Sequence, residues 1–186
     1  LRAFAGQFAR IVIVDRATGS FGHVNVDQIT QSDAPPDPAD SEARELAEAD
    51  ASVAAAAAAL APDPLRPTFH ILPAANWLND PNGLLFEPDE QGGWYHVFFQ
   101  HNPYGDEWGD MHWGHARSRD LARWQRLPIA LGPSFQRGEE HVFSGSAIHR
   151  DDGTPVLIYT SIGPRLPEQW IATPTDRELL HWRKLA

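Results

Sequence analysis

RDLARWQRL (residues 119–127) is followed later in the chain by a similar segment, RELLHWRKL (residues 177–185). The two segments align without a gap, and both carry Arg, an acidic residue, Leu and Trp at matching positions. Farther upstream, the sequence around Trp113 corresponds to that around Trp170. Chance similarity between two Trp-containing turns is the alternative, but the extent of the match favours two copies of one unit.

Each copy is rich in segments that alternate aromatic or β-branched residues with polar ones, a pattern typical of strands. Residues 94–100 and 156–160 show it clearly. Adding the strands predicted at 75–86 and 142–149 gives four strands per copy. A four-stranded unit that repeats at this spacing is the signature of a β-propeller blade.

Two blades cannot close a propeller, which needs at least four. We therefore predict an all-β fold made of the first two blades of a propeller, and we expect the protein to continue past residue 186. The four Trp residues that recur at equivalent blade positions are predicted to lie in the core: Trp113, Trp124, Trp170 and Trp182.

The first third of the chain differs in composition. Residues 1–33 read as strand, turn, strand, and we interpret them as the C-terminal end of an upstream β-sandwich module that could bind carbohydrate. Residues 34–67 are bounded by Pro clusters, and their Ala-rich and Glu-rich centre predicts a helix over 41–61. We interpret this segment as a helical linker between two domains; the alternative is a helix packed on one of them. Residues 68–186 form the predicted propeller part.

Charge and composition exclude several classes of function. The chain of 186 residues carries a formal net charge of −10, which argues against nucleic acid or anionic membranes as partners. It contains no Cys, so a disulfide framework and a thiolate zinc site are excluded. His112 and His115 lie three residues apart, but no carboxylate joins them at ligand spacing. We predict neither a metal nor a cofactor.

One motif on the first predicted strand contains a candidate functional carboxylate. WLNDPNG (residues 77–83) contains Asp-Pro and Asn-Gly, two strong turn-forming pairs, so a plain turn is one reading. However, the first strands of propeller blades line the central channel. A carboxylate at Asp80 would then face a funnel, and the turn would hold it rigidly there.

Residues 68–186 resemble the glycoside hydrolases of family 32, which comprise invertases, levanases, inulinases and other β-fructofuranosidases. The motifs that carry the resemblance are, in chain order, WLNDPNG at 77–83, FFQHNP at 98–103, EWG at 107–109, HWGHA at 112–116, Asp120-Leu121 with Trp124 and Leu127-Pro128, and FSGSA at 143–147. The resemblance implies a five-bladed propeller followed by a β-sandwich. It also implies cleavage of β-fructofuranosidic bonds with retention of configuration.

The resemblance implies a role for each matching residue. Asp80 would be the nucleophile. The positions expected to hold the fructosyl ring are Asn79, Asn82, Gln100, Trp108, Phe143 and Ser144. These residue types suit the chemistry, because amide donors keep a nucleophilic carboxylate ionised and aromatic rings pack against the less polar edge of a furanose. A retaining glycosidase also needs a second carboxyl group about 5–5.5 Å away.

Two family motifs are absent from the chain. An Arg-Asp-Pro segment would supply the Asp that stabilises the transition state, and a Glu-Cys segment would supply the acid/base Glu. Both are expected beyond residue 186, so we expect residues 1–186 alone to be inactive. Glu139 and Glu140 could mimic a second carboxylate, but nothing in the family supports that role.

Three functions remain open at this point. The first is hydrolysis of levan, inulin or sucrose; the second is fructan binding without catalysis; the third is a related arabinanase-like or xylosidase-like activity. An upstream sandwich module would favour a polymer, and a polymer substrate would imply an extracellular or cell-surface bacterial protein. The sequence predicts no oligomeric state.

Overall fold

The computed structural model describes residues 37–185 except 61, 63 and 68. Contacts divide the chain into two compact units, residues 1–35 and 36–186, and the described residues belong to the second unit. The hairpin predicted within residues 1–33, and the β-sandwich module it would belong to, lie outside the described residues.

Two antiparallel sheets of four strands make up most of this unit, and in each sheet the strands follow one another in chain order. The first sheet comprises β1 (Trp77–Glu87), β2 (Trp94–Asn102), β3 (His112–Ser118) and β4 (Trp124–Leu131). The second comprises β5 (His141–His149), β6 (Pro155–Ile162), β7 (Glu168–Pro174) and β8 (Trp182–Leu185). A single 3₁₀ turn, Phe135–Arg137, lies between β4 and β5. The predicted all-β architecture with two blade-like sheets is confirmed.

An aromatic core fills the space between the two sheets. Phe98 of the first sheet and Trp182 of the second meet edge to face, with 5.6 Å between ring centroids. Trp113 and Tyr159, both fully buried, meet across the same interface at 6.1 Å. Aromatic side chains bury more area than any others, so they hold the two sheets together.

The recurring Trp residues divide between two environments. Trp113, Trp170 and Trp182 belong to the core cluster that joins the sheets. Trp124 is only partly buried and packs against a smaller cluster formed by Val97, Phe99 and Ala116. All four Trp side chains therefore pack against core residues, as the repeat predicted.

Helix α1 (Pro38–Ala59) precedes the sheets and is capped by Asp37, whose side chain accepts a hydrogen bond from the Ala39 N–H. The helix lies against the first sheet. Ala49 is completely buried, and the Asp50 carboxylate accepts a 3.1 Å hydrogen bond from the Ile129 N–H of β4. The helix is thus packed on a domain, which is the alternative to the free spacer that we favoured from sequence.

The spacer interpretation failed for a physical reason. The expectation followed from the Ala-rich and Glu-rich composition of the segment, whereas the contact is made by the buried Ala49, by Leu46 beside Gly132 and by polar groups such as Asp50. Within the described residues, no helix is both long and apolar enough to cross a membrane.

Candidate active site

A β-bulge interrupts the first strand of each sheet at a comparable place. In β1, Asn79 pairs with Gln100 and Pro81 pairs with Phe99, so Asp80 between them has no partner. In β5, Phe143 pairs with Thr160 and Gly145 with Tyr159, so Ser144 has no partner. Bulges redirect side chains and are frequent beside active sites. Here they aim Asp80 and Ser144 at each other.

The Asp80 carboxylate is the centre of this junction. Its Oδ2 accepts a 2.9 Å hydrogen bond from the Ser144 hydroxyl. That bond, and a further one from the Asn79 side chain, lower the pKa of Asp80 below its ordinary value despite some desolvation. The side chain is exposed. Asp80 is therefore an ionised carboxylate that a ligand can reach.

The two Asn residues of the motif hold this arrangement from either side. The Asn79 Oδ1 accepts a 2.6 Å hydrogen bond from the Trp77 indole N–H, which fixes the orientation of the amide. The Asn82 Oδ1 accepts a 3.3 Å hydrogen bond from the Gly145 N–H on the other sheet. The Asn82 Nδ2 is buried and has no hydrogen-bond partner among the described residues. One amide donor of the motif is thus left without a partner in the described part of the chain.

Gln100 lies behind the junction rather than at its surface. It is 3% exposed, and its Nε2 donates a 2.9 Å hydrogen bond to the Val142 carbonyl on β5. Its side chain therefore ties the two sheets together directly below the bulges. Gln100 is therefore not a solvent-facing side chain.

An aromatic wall stands beside the carboxylate. The Trp108 and Phe143 rings meet edge to face, with 5.9 Å between centroids. Trp108 is 42% exposed, whereas the Phe143 carbonyl accepts a hydrogen bond from the buried Trp113 indole at 3.1 Å. Phe143 directly precedes Ser144 on β5, and Ser144 donates the hydrogen bond to the Asp80 carboxylate on β1, so the aromatic pair lies next to the junction.

Two residues that sequence reasoning did not single out shape this region. The Asn102 side chain donates to the Glu107 carbonyl and accepts from the Tyr104 N–H, both at 2.9 Å. His101 is 2% exposed, and its Nδ1 lies 2.7 Å from the Trp77 carbonyl. Both belong to the FFQHNP motif, so the presence of this motif could have identified them from sequence. Together they fix the start of β1 and the loop that carries Trp108.

Two other candidates, Glu139 and His115, lie outside the junction. Glu139 is fully buried and forms an ion pair with Lys184, which excludes it as a carboxylate open to substrate. His115 lies 2.9 Å from His96 within the first sheet. Among residues 37–185 as described, no group of three or more potential metal ligands comes together.

Comparison with known proteins agrees with this geometry. Residues 70–186 match the profile described as glycosyl hydrolases family 32 N-terminal domain. The chain belongs to glycoside hydrolase family 32. The matched region contains both sheets and every residue of the Asp80–Ser144 junction.

Individual relatives of this family 32 chain share substantial sequence identity. Sucrose-6-phosphate hydrolase of Escherichia coli is 50% identical over 94 residues, covering 50% of this chain and 19% of the relative. Levanase of Bacillus subtilis (strain 168) is 47% identical over 131 residues, covering 65% of this chain and 18% of the relative. This chain spans less than a fifth of the length of either.

A solved structure shows the same fold. The family 32 β-fructofuranosidase of Bombyx mori matches with a TM-score of 0.64 at 33% identity, covering 77% of this chain and 30% of that one. The two sheets described here are thus similar to part of a family 32 propeller.

Proposed function

We propose that the protein containing this chain is a retaining β-fructofuranosidase with Asp80 as its nucleophile. The observation that carries the proposal is the Asp80 carboxylate, which is exposed, kept ionised by Ser144 and Asn79, and placed where the first strands of two sheets meet. Relatives named as levanase and sucrose-6-phosphate hydrolase support a fructoside as substrate.

The proposed reaction begins with attack of an Asp80 oxygen on the anomeric carbon of the fructosyl unit. As that bond forms, the bond to the leaving oxygen breaks, and a second carboxyl group donates a proton to the leaving oxygen. Water then attacks the fructosyl-enzyme and gives a proton to the second carboxylate, which releases fructose and restores both the Asp80 carboxylate and the proton donor. We place the proton donor outside residues 37–185 and expect this region alone to be inactive.

The neighbouring residues would bind the sugar in this proposal. The unpartnered Asn82 amide and the Ser144 hydroxyl suit the hydroxyls of the ring. Trp108 and Phe143 offer an aromatic surface to its less polar edge. Asn79 and Gln100 would orient the carboxylate and the two strands. Levan, inulin and sucrose are the candidate substrates, and a polymer would place the protein outside the cell or on its surface.

The experiment uses the full-length protein and a panel of sucrose, inulin, levan and arabinan. We expect fructose release from at least one fructoside, none from arabinan, and loss of release in Asp80→Asn. Ser146→Ala, a change at an exposed neighbour on β5, is the matched control. Binding of fructosides without cleavage would favour the alternative of a fructan-binding protein, and cleavage of arabinan would favour the arabinanase-like one.

A further inference from the structure

Helix α1 contacts the loop that carries Trp108, and it does so through polar side chains. The Ser52 hydroxyl donates a 2.9 Å hydrogen bond to the Pro103 carbonyl. The Tyr104 hydroxyl donates a 2.9 Å hydrogen bond to the Glu45 carboxylate. Pro103 and Tyr104 directly follow the last residue of β2, so both bonds fix the start of the loop.

The same helix also reaches the end of the loop. The His112 Nε2 lies 3.4 Å from the Glu45 Oε1, and His112 is the first residue of β3. The other ring nitrogen of His112 lies 2.6 Å from the Asp110 carbonyl within the loop. Glu45 therefore contacts both ends of the connection between β2 and β3.

These contacts come from one face of the helix. Glu45, Ala49 and Ser52 recur at intervals of four and three residues, which places them on one side. Ala49 is completely buried, so the backbone of the helix comes close to the sheet. Arg44 lies on the flank of this face, about 100° around the helix from Glu45; its side chain is exposed and forms an ion pair with Glu48.

The loop between β2 and β3 also contacts residues of the candidate site. Asn102 bonds to the Glu107 carbonyl, and the Gly105 carbonyl accepts a 3.0 Å hydrogen bond from the Trp77 N–H at the start of β1. Trp108, next to Glu107, then lies against Phe143. A shift at Pro103 or Tyr104 would therefore move the exposed ring that forms the aromatic wall.

We propose that α1 is a positioning element of the sugar site, which sets the affinity for substrate by fixing the loop of residues 103–111 and thereby Trp108. The inference rests on the proposed function, because its effect is expressed as affinity for a fructoside. Ser52, Glu45 and Tyr104 touch no substrate in this account. They act only through Trp108.

The test uses the full-length protein and whichever of sucrose, inulin and levan it cleaves best. Ser52→Ala combined with Tyr104→Phe removes two oxygen atoms and both helix-to-loop bonds. We expect KM to rise on the order of ten-fold with kcat nearly unchanged. Arg44→Gln, at an exposed position on the flank of the same helix, is the matched control and should leave both constants unchanged. If the double variant does not fold, KM and kcat of Tyr104→Phe alone are compared with those of the control.

A second comparison separates positioning from a general loss of stability. In a Trp108→Ala background, which should itself raise KM, the two hydroxyl deletions should add nothing further to KM. An unchanged KM in the double variant, a fall in kcat instead, or an equal effect with and without Trp108 would overturn the inference and leave the proposed function intact. If the unaltered protein cleaves none of the three fructosides, the proposed function fails, and this inference fails with it.

Discussion

The Ser144 hydroxyl donates a 2.9 Å hydrogen bond to the Asp80 carboxylate, and the two residues occupy bulges in the first strands of adjacent sheets. Neither residue pairs with a residue on the neighbouring strand of its own sheet. The contact therefore depends on how one sheet packs against the other. Substitutions near it should change both the rate of catalysis and the stability of the fold.

Ser144→Ala should weaken catalysis most at low pH. The Ser144 hydrogen bond is the main cause that holds the pKa of Asp80 below its ordinary value. Without it the pKa rises, the carboxylate protonates at higher pH, and the acid limb of the kcat/KM profile moves upward. A hydrogen bond to a charged group contributes about 1.5–3 kcal/mol, which corresponds to roughly a ten- to hundred-fold fall in kcat/KM. The pH–rate profile of the full-length protein measures both effects, and an acid limb that stays in place would contradict the assignment.

Gly145→Ala should destabilise the second sheet. A Cβ at this position would lie 2.1 Å from the Ile158 carbonyl oxygen and 2.6 Å from the Tyr159 Cα, and neither backbone atom can move aside. We expect a loss of about 3 kcal/mol or more in the free energy of unfolding. Gly105→Ala is the control, because its Cβ would meet only a side-chain nitrogen at 3.6 Å. Equal midpoints of thermal unfolding for the two variants would be the opposing result.

Lys184 and Glu139 form a buried ion pair that ties β8 to the connection before β5. Lys184 also donates a 2.7 Å hydrogen bond to the Ser134 hydroxyl, and burial lowers its pKa. Removing one partner by Glu139→Gln or Lys184→Met leaves a buried charge unpaired or poorly compensated and should cost about 3–5 kcal/mol. The double variant should regain part of that loss. Urea unfolding measures this cycle, and single variants as stable as the parent would contradict it.

Stability should fall as the solution is acidified, partly because of two buried histidines. Burial lowers the pKa of His96 to about 4 and that of His115 well below its ordinary value. The unfolded chain binds protons at these residues below about pH 6.5 whereas the folded chain does not, so stability is full above that pH and falls below it.

For His96 the loss approaches about 3 kcal/mol near pH 4. The pair variant His96→Gln with His115→Gln should show a flatter dependence of the unfolding midpoint between about pH 4 and pH 7. His70→Gln, at an exposed position, should retain the slope of the parent. A parent midpoint that does not change with pH would rule out this account.

The sequence predicted the two sheets because strand alternation and recurring Trp residues survive as local patterns. It also predicted, through resemblance, that Asp80, Asn82, Phe143 and Ser144 act together, and the structure brings these residues together. The bulges were not predicted, since register depends on which residues face each other across strands. Pro81 and Gly145 beside them were the only local hints.

Other features are non-local and leave little trace in the sequence. Glu139 and Lys184 are far apart in the chain, and no pattern in either segment indicates that they pair. The docking of α1 depends on Ala49 and on hydrogen bonds made by Glu45, Asp50 and Ser52, and such contacts do not produce a broad apolar stripe. Long-range polar contacts of this kind require the folded geometry.

The most direct test of the central claim is to find where the fructosyl group is attached during turnover. The full-length protein is quenched in acid while it cleaves the fructoside it prefers, then digested and mapped by mass spectrometry. The account predicts one fructosyl unit on the peptide that contains Asp80, and no adduct in Asp80→Asn. An adduct on another carboxylate, or turnover by Asp80→Asn at the rate of the parent, would contradict it.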